Sequence, residues 1–228
     1  MDGAIVTVGD ELLAVRTANT NATWLSQRLT DRGVRIERVT TVPDRVPNIA
    51  DTVDAFCRSY DAVVVTGGIG PTHDDVTMAA VASAFDRPLE PNESVLEWLA
   101  EHGGYEREDL TTGTADLPVG GTPIHNPVGV APGVVLEGVY VLPGVPAEMK
   151  AMFERVASAF AGTQRYRRVV DAAEPESALL DRLETLREQF PVSVGSYPGE
   201  TVTIAIEGED RAAVESAADW LTTRVDQR

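Results

Sequence analysis

Apolar positions in the first 160 residues alternate between two periods. Residues 4–8 (AIVTV) form a short β-rich run of the kind a buried strand shows. After a polar loop, Ala22, Leu25 and Leu29 share one helical face behind capping candidates at 19–21, and Gly33 stops that helix. Residues 34–42 read as a second strand. Ile49, Val53, Phe56, Cys57 and Tyr60 recur at helical spacing, and residues 62–66 (AVVVT) are a third buried strand ending in Gly67-Gly68. Further helices are predicted over about 75–85 and 92–102. Residues 133–142 read as a hairpin about Gly138, and Val145, Met149, Met152, Phe153, Val156 and Phe160 mark an amphipathic helix. Strand–helix alternation with short connections implies an α/β fold, a three-layer, mostly parallel sheet covered on both faces.

The stretch 103–132 is irregular and rich in Gly, Pro and Thr, and composition changes around 161–171. A strand follows, then a helix on Leu179, Leu183, Leu186 and Phe190. Two strands (192–197 and 201–207) and a helix on Val214, Ala217, Leu221 and Val225 complete the pattern. The expected division is an α/β domain over 1–162 and a small α+β domain of βαββα order over 163–228.

Composition narrows the classes. With 43% hydrophobic residues in 228, the chain can bury a core, which excludes a disordered protein. No apolar run approaches the ~18–20 residues of a membrane span, and the first residues lack the basic and apolar regions of a signal peptide. One cysteine allows neither an internal disulfide nor a cysteine zinc cage. A cytoplasmic protein without a membrane partner is expected. A net charge of −17 argues against a nucleic-acid partner, because no basic excess exists to release counterions. Lys150 is the only lysine; every other basic residue is Arg. A surface so acidic and lysine-poor suits molar salt, where screening shortens repulsion to about 3 Å, so a halophilic source is expected.

The segment 66–77, TGGIGPTHDDVT, follows a buried strand and precedes a helix. Gly67, Gly68 and Gly70 let the backbone approach a ligand closely, and a helix start near Asp74 offers free amides and a positive dipole end to an anion. Asp74 and Asp75 would repel a phosphate there unless a divalent metal or a proton intervened. A plainer role is helix capping, since Thr72-x-x-Asp75 resembles a capping box. Asp10 and Glu11 add carboxylates at the end of the first strand. Two further Gly/Pro loops, 126–133 (NPVGVAPG) and 143–148 (PGVPAE), supply polar backbone near other strand ends.

These motifs, together with GDELL at 9–13, NTNATWLSQRL at 19–29 and LPGVPAEMKAMFE at 142–154, resemble the molybdopterin-binding-domain superfamily (MoaB/MogA-like). The nearest branch is the CinA type, here without that branch's separate amidase domain. SYPG at 196–199 resembles the small second domain of the same branch. The resemblance implies that Asp75, Asp44 and Asp74 do the chemistry and that Asp10, Glu11, Asp74 and Asp75 hold a divalent metal (Mg, Mn or Co). It assigns ligand contacts to Asp10, Glu11, Asn21, Thr66, Gly67, Gly68, Gly70, Pro71, Thr72 and Thr77. Asn126, Gly129, Pro132, Gly133, Pro143, Gly144, Pro146 and Glu148 complete that set. The implied ligand is a nucleotide or a pterin such as molybdopterin. The implied chemistry is metal-dependent hydrolysis of an ADP-ribose-like pyrophosphate, or adenylylation of molybdopterin, or binding of a pterin or nucleotide without turnover, in a homodimer or homotrimer. The step Gly113-Thr114-Ala115 lacks the basic or glutamine residues of the family pattern. Cys57 and the Met149/Met152 stripe read as core, Lys150, His102 and His125 as surface, and His73 as a capping or backbone residue.

Overall fold

The computed structural model describes residues 1–103 and 113–226; the irregular reading of 104–112 lies outside them. Two compact units, Met1–Gly162 and Thr163–Arg228, divide the chain.

The first unit begins with β1 (Asp2–Val8), the four-residue helix α1 (Asp10–Leu13), α2 (Thr20–Asp31), β2 (Arg35–Val42), α3 (Val46–Cys57) and β3 (Ala62–Thr66). It continues with α4 (Thr77–Ala84), β4 (Leu89–Pro91), α5 (Glu93–Gly103), β5 (Asp116–Pro118) and β6 (Thr122–Ile124). The hairpin β7 (Gly133–Leu136) and β8 (Val139–Leu142) follows, and α6 (Pro146–Val156) closes with a short 3-10 turn. The main sheet has the order β2-β1-β3-β8-β7-β6. Its first four strands are parallel, and the β7 and β6 pairings are antiparallel. The hairpin turns on Glu137 and Gly138, both left-handed at φ +46° and +86°, the backbone that matches the twist of the flanking strands.

Helices cover both faces, as the sequence periods require. Leu25 and Leu29 of α2 pack with Met149, Met152 and Phe153 of α6 and with Ile5, Val64 and Leu142. On the other face Ile49 and Val53 of α3, Ala80 and Val81 of α4, and Val95 and Leu99 of α5 meet Val6, Val63, Val65 and Val141. Residues of opposite parity in β1 and β3 thus feed the two cores. β1, β3 and β8 lie side by side in the middle, which brings the loops after them together at the carboxyl ends, where open α/β sheets bind ligands.

The second unit comprises β9 (Tyr166–Ala172), α7 (Glu176–Gln189), β10 (Ser193–Pro198), β11 (Val202–Gly208) and α8 (Arg211–Thr222). Its antiparallel sheet, ordered β10-β11-β9, packs Val170, Ile204 and Ile206 against Leu179, Leu183, Val214 and Leu221. Glu174 ties its ends together. The carboxylate pairs with Arg182 and accepts the Asp226 amide, while Arg182 also donates to the Arg224 carbonyl.

Candidate phosphate-ligand site

The loop after β3 is built by exclusion. Gly67 is left-handed (φ +107°), and a Cβ there would lie 2.4 Å from the Val8 carbonyl oxygen of β1. Gly68 (φ +63°) has the Thr77 Oγ1 2.5 Å from the place of a Cβ, with Asp44 Oδ1 at 3.5 Å. Only glycine lets the chain pass so close. Thr77, buried, donates its hydroxyl to the Gly67 carbonyl at 2.8 Å, and its amide reaches the Gly68 carbonyl at 2.9 Å. Among the described residues, none accepts a hydrogen bond from the amides of Gly68, Ile69 or Gly70.

The helix after this loop starts later than the sequence suggests. α4 begins at Thr77 with Val76 before it and no side-chain cap, so Asp74 and Asp75 precede the helix. Asp75 instead turns back on its own loop and accepts from the Thr72 amide at 2.9 Å and the Thr72 hydroxyl at 2.5 Å, with the Asp75 amide on the Thr72 carbonyl. This is one half of a capping box, displaced into a turn ahead of the helix. Asp74 is exposed beside His73 at 3.1 Å.

Three cavities surround this loop. One of about 480 Å³ is lined by Gly68–Pro71, Asp75, Gly129–Ala131, Pro143–Val145 and Glu148. A second, about 200 Å³, shares Ile69, Gly70, Pro71 and Asp75 with it and adds Thr72, Met78, Gly113, Thr114, Asp116 and Pro132. A third, about 100 Å³, shares Gly144 with the first and is lined by Thr7, Glu11, Leu12, Thr17, Asn19, Thr20, Asn21, Thr66 and Pro146. The shared residues make the three lobes adjacent, with the glycine turn in the wall between the first and the second. Among the described residues, none that lines them is Lys or Arg.

The remaining expected residues divide by what they touch. Asn126 is buried and spends its amide inside the protein. Nδ2 donates to Glu148 Oε2 at 2.7 Å and to the Ala131 carbonyl at 3.1 Å; Oδ1 accepts from the Gly129 and Val128 amides. Glu148 lies against Gly129 so closely that a Cβ there would be 2.5 Å from its carboxylate. Asn21 donates to the Gly144 carbonyl at 2.7 Å and to Thr66, whose hydroxyl in turn donates to the Pro143 carbonyl. Asp44 accepts the Asp10 amide at 2.7 Å. Gly133 is packed inside the sheet, where a Cβ would meet the Val141 carbonyl at 2.3 Å. Asp10, Asp44, Asp74, Gly67, Thr77, Asn126 and Gly133 are not in the lining of the three cavities.

Two expectations need correction. Asp10, Glu11, Asp74 and Asp75 do not gather: among the described residues no three His, Cys, Asp or Glu side chains form a metal set. Local hydrogen bonding is the cause, since Asp75 is held by Thr72 and Asp74 faces solvent. His125 is not a free surface residue. Its ring stacks on Trp98 at 5.2 Å, as His102 does at 5.0 Å, and its Nδ1 is buried with no partner. Burial first, then Arg155 and His102, hold its pKa below the ordinary value. Cys57 packs against the core, and burial pushes its thiol up to about 11. Met149 and Met152 are fully buried.

Residues 4–162 match the family described as "Probable molybdopterin binding domain". The chain belongs to the molybdopterin-binding domain family. Residues 164–228 match the family described as "FAD synthase, middle domain". The chain is 36% identical over 219 residues to a protein of Archaeoglobus fulgidus, covering 95% of each. It is 36% identical over 202 residues to a CinA-like protein of Salinibacter ruber, covering 82% of this chain and 49% of that one. The crystal structure of CinA from Thermoplasma acidophilum, a protein with unknown function, aligns with a TM-score of 0.65 at 35% identity, covering 70% of this chain and 97% of that one.

Sequence reasoning missed several lining residues of the molybdopterin-binding domain. Thr7 and Thr17 carry no motif of their own, Asn19 and Thr20 stood in the 19–29 motif only as capping candidates, and all four line the third lobe at the end of the sheet where α1 and α2 start. Ile69, Val130, Ala131 and Val145 give the largest lobe an apolar wall. They sit inside the glycine- and proline-rich motifs already singled out, which is the one signal that could have found them. No described helix is long and apolar enough to cross a membrane.

Proposed function

We propose that the molybdopterin-binding domain holds a phosphate-bearing pterin or nucleotide, with the phosphates at the amides of Gly68, Ile69 and Gly70 and the rings in the lobes on either side. The observation that carries this reading is the run of amides without a protein acceptor in the wall where two lobes meet. Successive free amides are a built anion receptor. The described walls bring Asp75, Asp116, Glu148 and Glu11 but no cationic side chain, so the phosphates need positive charge from elsewhere. The described residues offer no three-carboxylate set of their own, and we assign the divalent cation (Mg, Mn or Co) to the ligand, entering as its phosphate complex.

Two chemistries suit such a ligand. In hydrolysis of an ADP-ribose-like pyrophosphate, the carboxylates of Asp75 and Glu148 would orient water. In adenylylation of molybdopterin, the same loop would align two phosphates; the molybdopterin-binding description of the matched family favours this second reading. A binding module without turnover is the limiting case. We place the protein in the cytoplasm as a homodimer or homotrimer without nucleic-acid or membrane partners. The deciding experiment is phosphorus NMR of ADP-ribose, and of ATP with molybdopterin, each with Mg²⁺, Mn²⁺ or Co²⁺. Release of AMP from ADP-ribose supports hydrolysis, and pyrophosphate release only when molybdopterin is present supports adenylyl transfer. Binding without either supports the module, and no binding of any of them refutes the proposal.

A further inference from the structure

The third lobe is bordered by a segment held in an unfavourable conformation. α1 buries none of its residues, and from Asp10 to Ala18 every residue is exposed except half-buried Leu12. The helix ends in a Schellman arrangement. The Val15 amide donates to the Leu12 carbonyl at 3.1 Å and the Arg16 amide to the Glu11 carbonyl at 2.9 Å. That motif puts its central residue in the left-handed region, where glycine normally sits. Here it is Val15, at φ +55°, a β-branched residue for which that region is an outlier. Val15 is 87% exposed, so no packing of its side chain offsets the strain. Leu13, 48% exposed, is a second apolar side chain left in solvent on the same short segment.

The anchors lie at the two ends. Gly9 donates to the Val42 carbonyl at 3.1 Å, and Asp10 to the Asp44 carboxylate. Asn19 caps α2 through the Ala22 amide and donates to Thr7 Oγ1 at 2.9 Å. Between them, Glu11, Leu12, Thr17 and Ala18 line the lobe that also holds Asn21, Thr66 and Gly144. Strain of this kind persists only where the surroundings over-determine it, and it gathers at switching segments.

We infer that residues 10–18 form a two-state strap, held open at a cost by left-handed Val15 and poised to close over the Asn21–Gly144 lobe when a ligand enters. Closure releases Val15 to an ordinary backbone region and brings Leu13 and Val15 out of water. A ligand draws the strap shut only through the contacts it makes in the closed state alone. The open, strained state is a property of the chain itself; the closing half rests on the proposed phosphate-ligand reading.

Amide hydrogen exchange on the whole chain tests both halves. Val15→Gly removes the strain and Val15→Ala retains part of it while deleting the side chain. Without ligand, the amides of Val15 and Arg16 should exchange about three- to tenfold more slowly in Val15→Gly than in the parent, with Val15→Ala closer to the parent. Equal rates in Val15→Gly and parent overturn the strap. In the second arm, ADP-ribose with Mg²⁺ should protect residues 11–17 together with 68–70, and Val15→Gly should bind it about threefold more weakly. Protection of 68–70 with none at 11–17 refutes closure. No protection anywhere, with ADP-ribose or with ATP and molybdopterin in its place and exchange still slowed in Val15→Gly, refutes the ligand reading and the closure built on it while the strained open state stands.

Discussion

Asp75 Oδ2 accepts both the amide and the hydroxyl of Thr72, at 2.9 and 2.5 Å. The carboxylate that the TGG motif presents is therefore fixed within its own loop, one oxygen toward Thr72 and the residue at the junction of two lobes. Its conformation is independent of α4, which starts two residues later. Asp75→Asn keeps an acceptor for Thr72 and should unfold within about 0.5 kcal/mol of the parent, whereas Asp75→Ala should lose about 1–2 kcal/mol. If Asp75 orients water or phosphate, Asp75→Asn should still lower turnover at least tenfold. Urea unfolding beside an activity assay separates the two roles, and full activity of the Asn variant removes Asp75 from the chemistry.

Asn126 holds the 126–131 loop with four hydrogen bonds while almost wholly buried. Asn126→Ala strands two amides, a carbonyl and the Glu148 carboxylate, which should cost about 2–4 kcal/mol. Asn126→Asp should cost at least as much at neutral pH because it sets a second carboxylate against Glu148. Addition of Glu148→Gln to Asn126→Asp should recover most of the loss by restoring a donor between them. Denaturant midpoints of the parent, Asn126→Asp, Glu148→Gln and the double variant check this, and additive effects would show that the two side chains are not coupled.

Gly129 leaves room for Glu148. A methyl group at that position falls 2.5 Å from the carboxylate, so Gly129→Ala should destabilise by about 1–3 kcal/mol. In a Glu148→Ala background the same change should be nearly silent. A double-mutant cycle measures the coupling directly, and a Gly129→Ala cost that survives in that background would place the clash elsewhere.

The pH dependence of stability should show two separate windows. The folded pKa of His125 lies below its ordinary value because of burial, Arg155 and His102. The unfolded chain therefore binds the proton more readily, and stability falls as pH drops from about 6.5 toward the lowered folded value. The hydrogen bond from Arg182 and the Asp226 amide hold the Glu174 carboxyl below its ordinary range, so that contribution is lost only at lower pH, below about 4.3. His125→Phe keeps a ring on Trp98 and should abolish the upper window alone. Thermal unfolding from about pH 2.5 to 8 in molar salt checks both slopes.

Cys57 is the only thiol, packed on the core with a pKa of about 11. At pH 8 little thiolate exists, so a disulfide reagent should react far more slowly with the native protein than with the chain in urea. Equal rates would mean that α3 opens readily.

Period and turn chemistry were enough to place the main elements. Strand β3 and the hairpin about Gly138 were legible because five consecutive buried β-branched or small residues fit a central strand, and a Glu-Gly pair fits a left-handed turn. The βαββα order of the second unit followed from spacing alone. Burial periodicity says which residues go inside, but it does not say which strand lies beside which. The antiparallel β6–β7–β8 edge of an otherwise parallel sheet, and the meeting of the loops after β1, β3 and β8, were decided by tertiary pairing. The site divides in the same way. Glycines at 67, 68 and 70 announced a close backbone approach, and at 67 and 68 the left-handed backbone demands that residue. The orientation of Asp75 toward Thr72, the internal use of Asn126 and the dispersal of four carboxylates depended on hydrogen bonds. Those bonds are directional and short-ranged, and their partners exist only once the chain has folded.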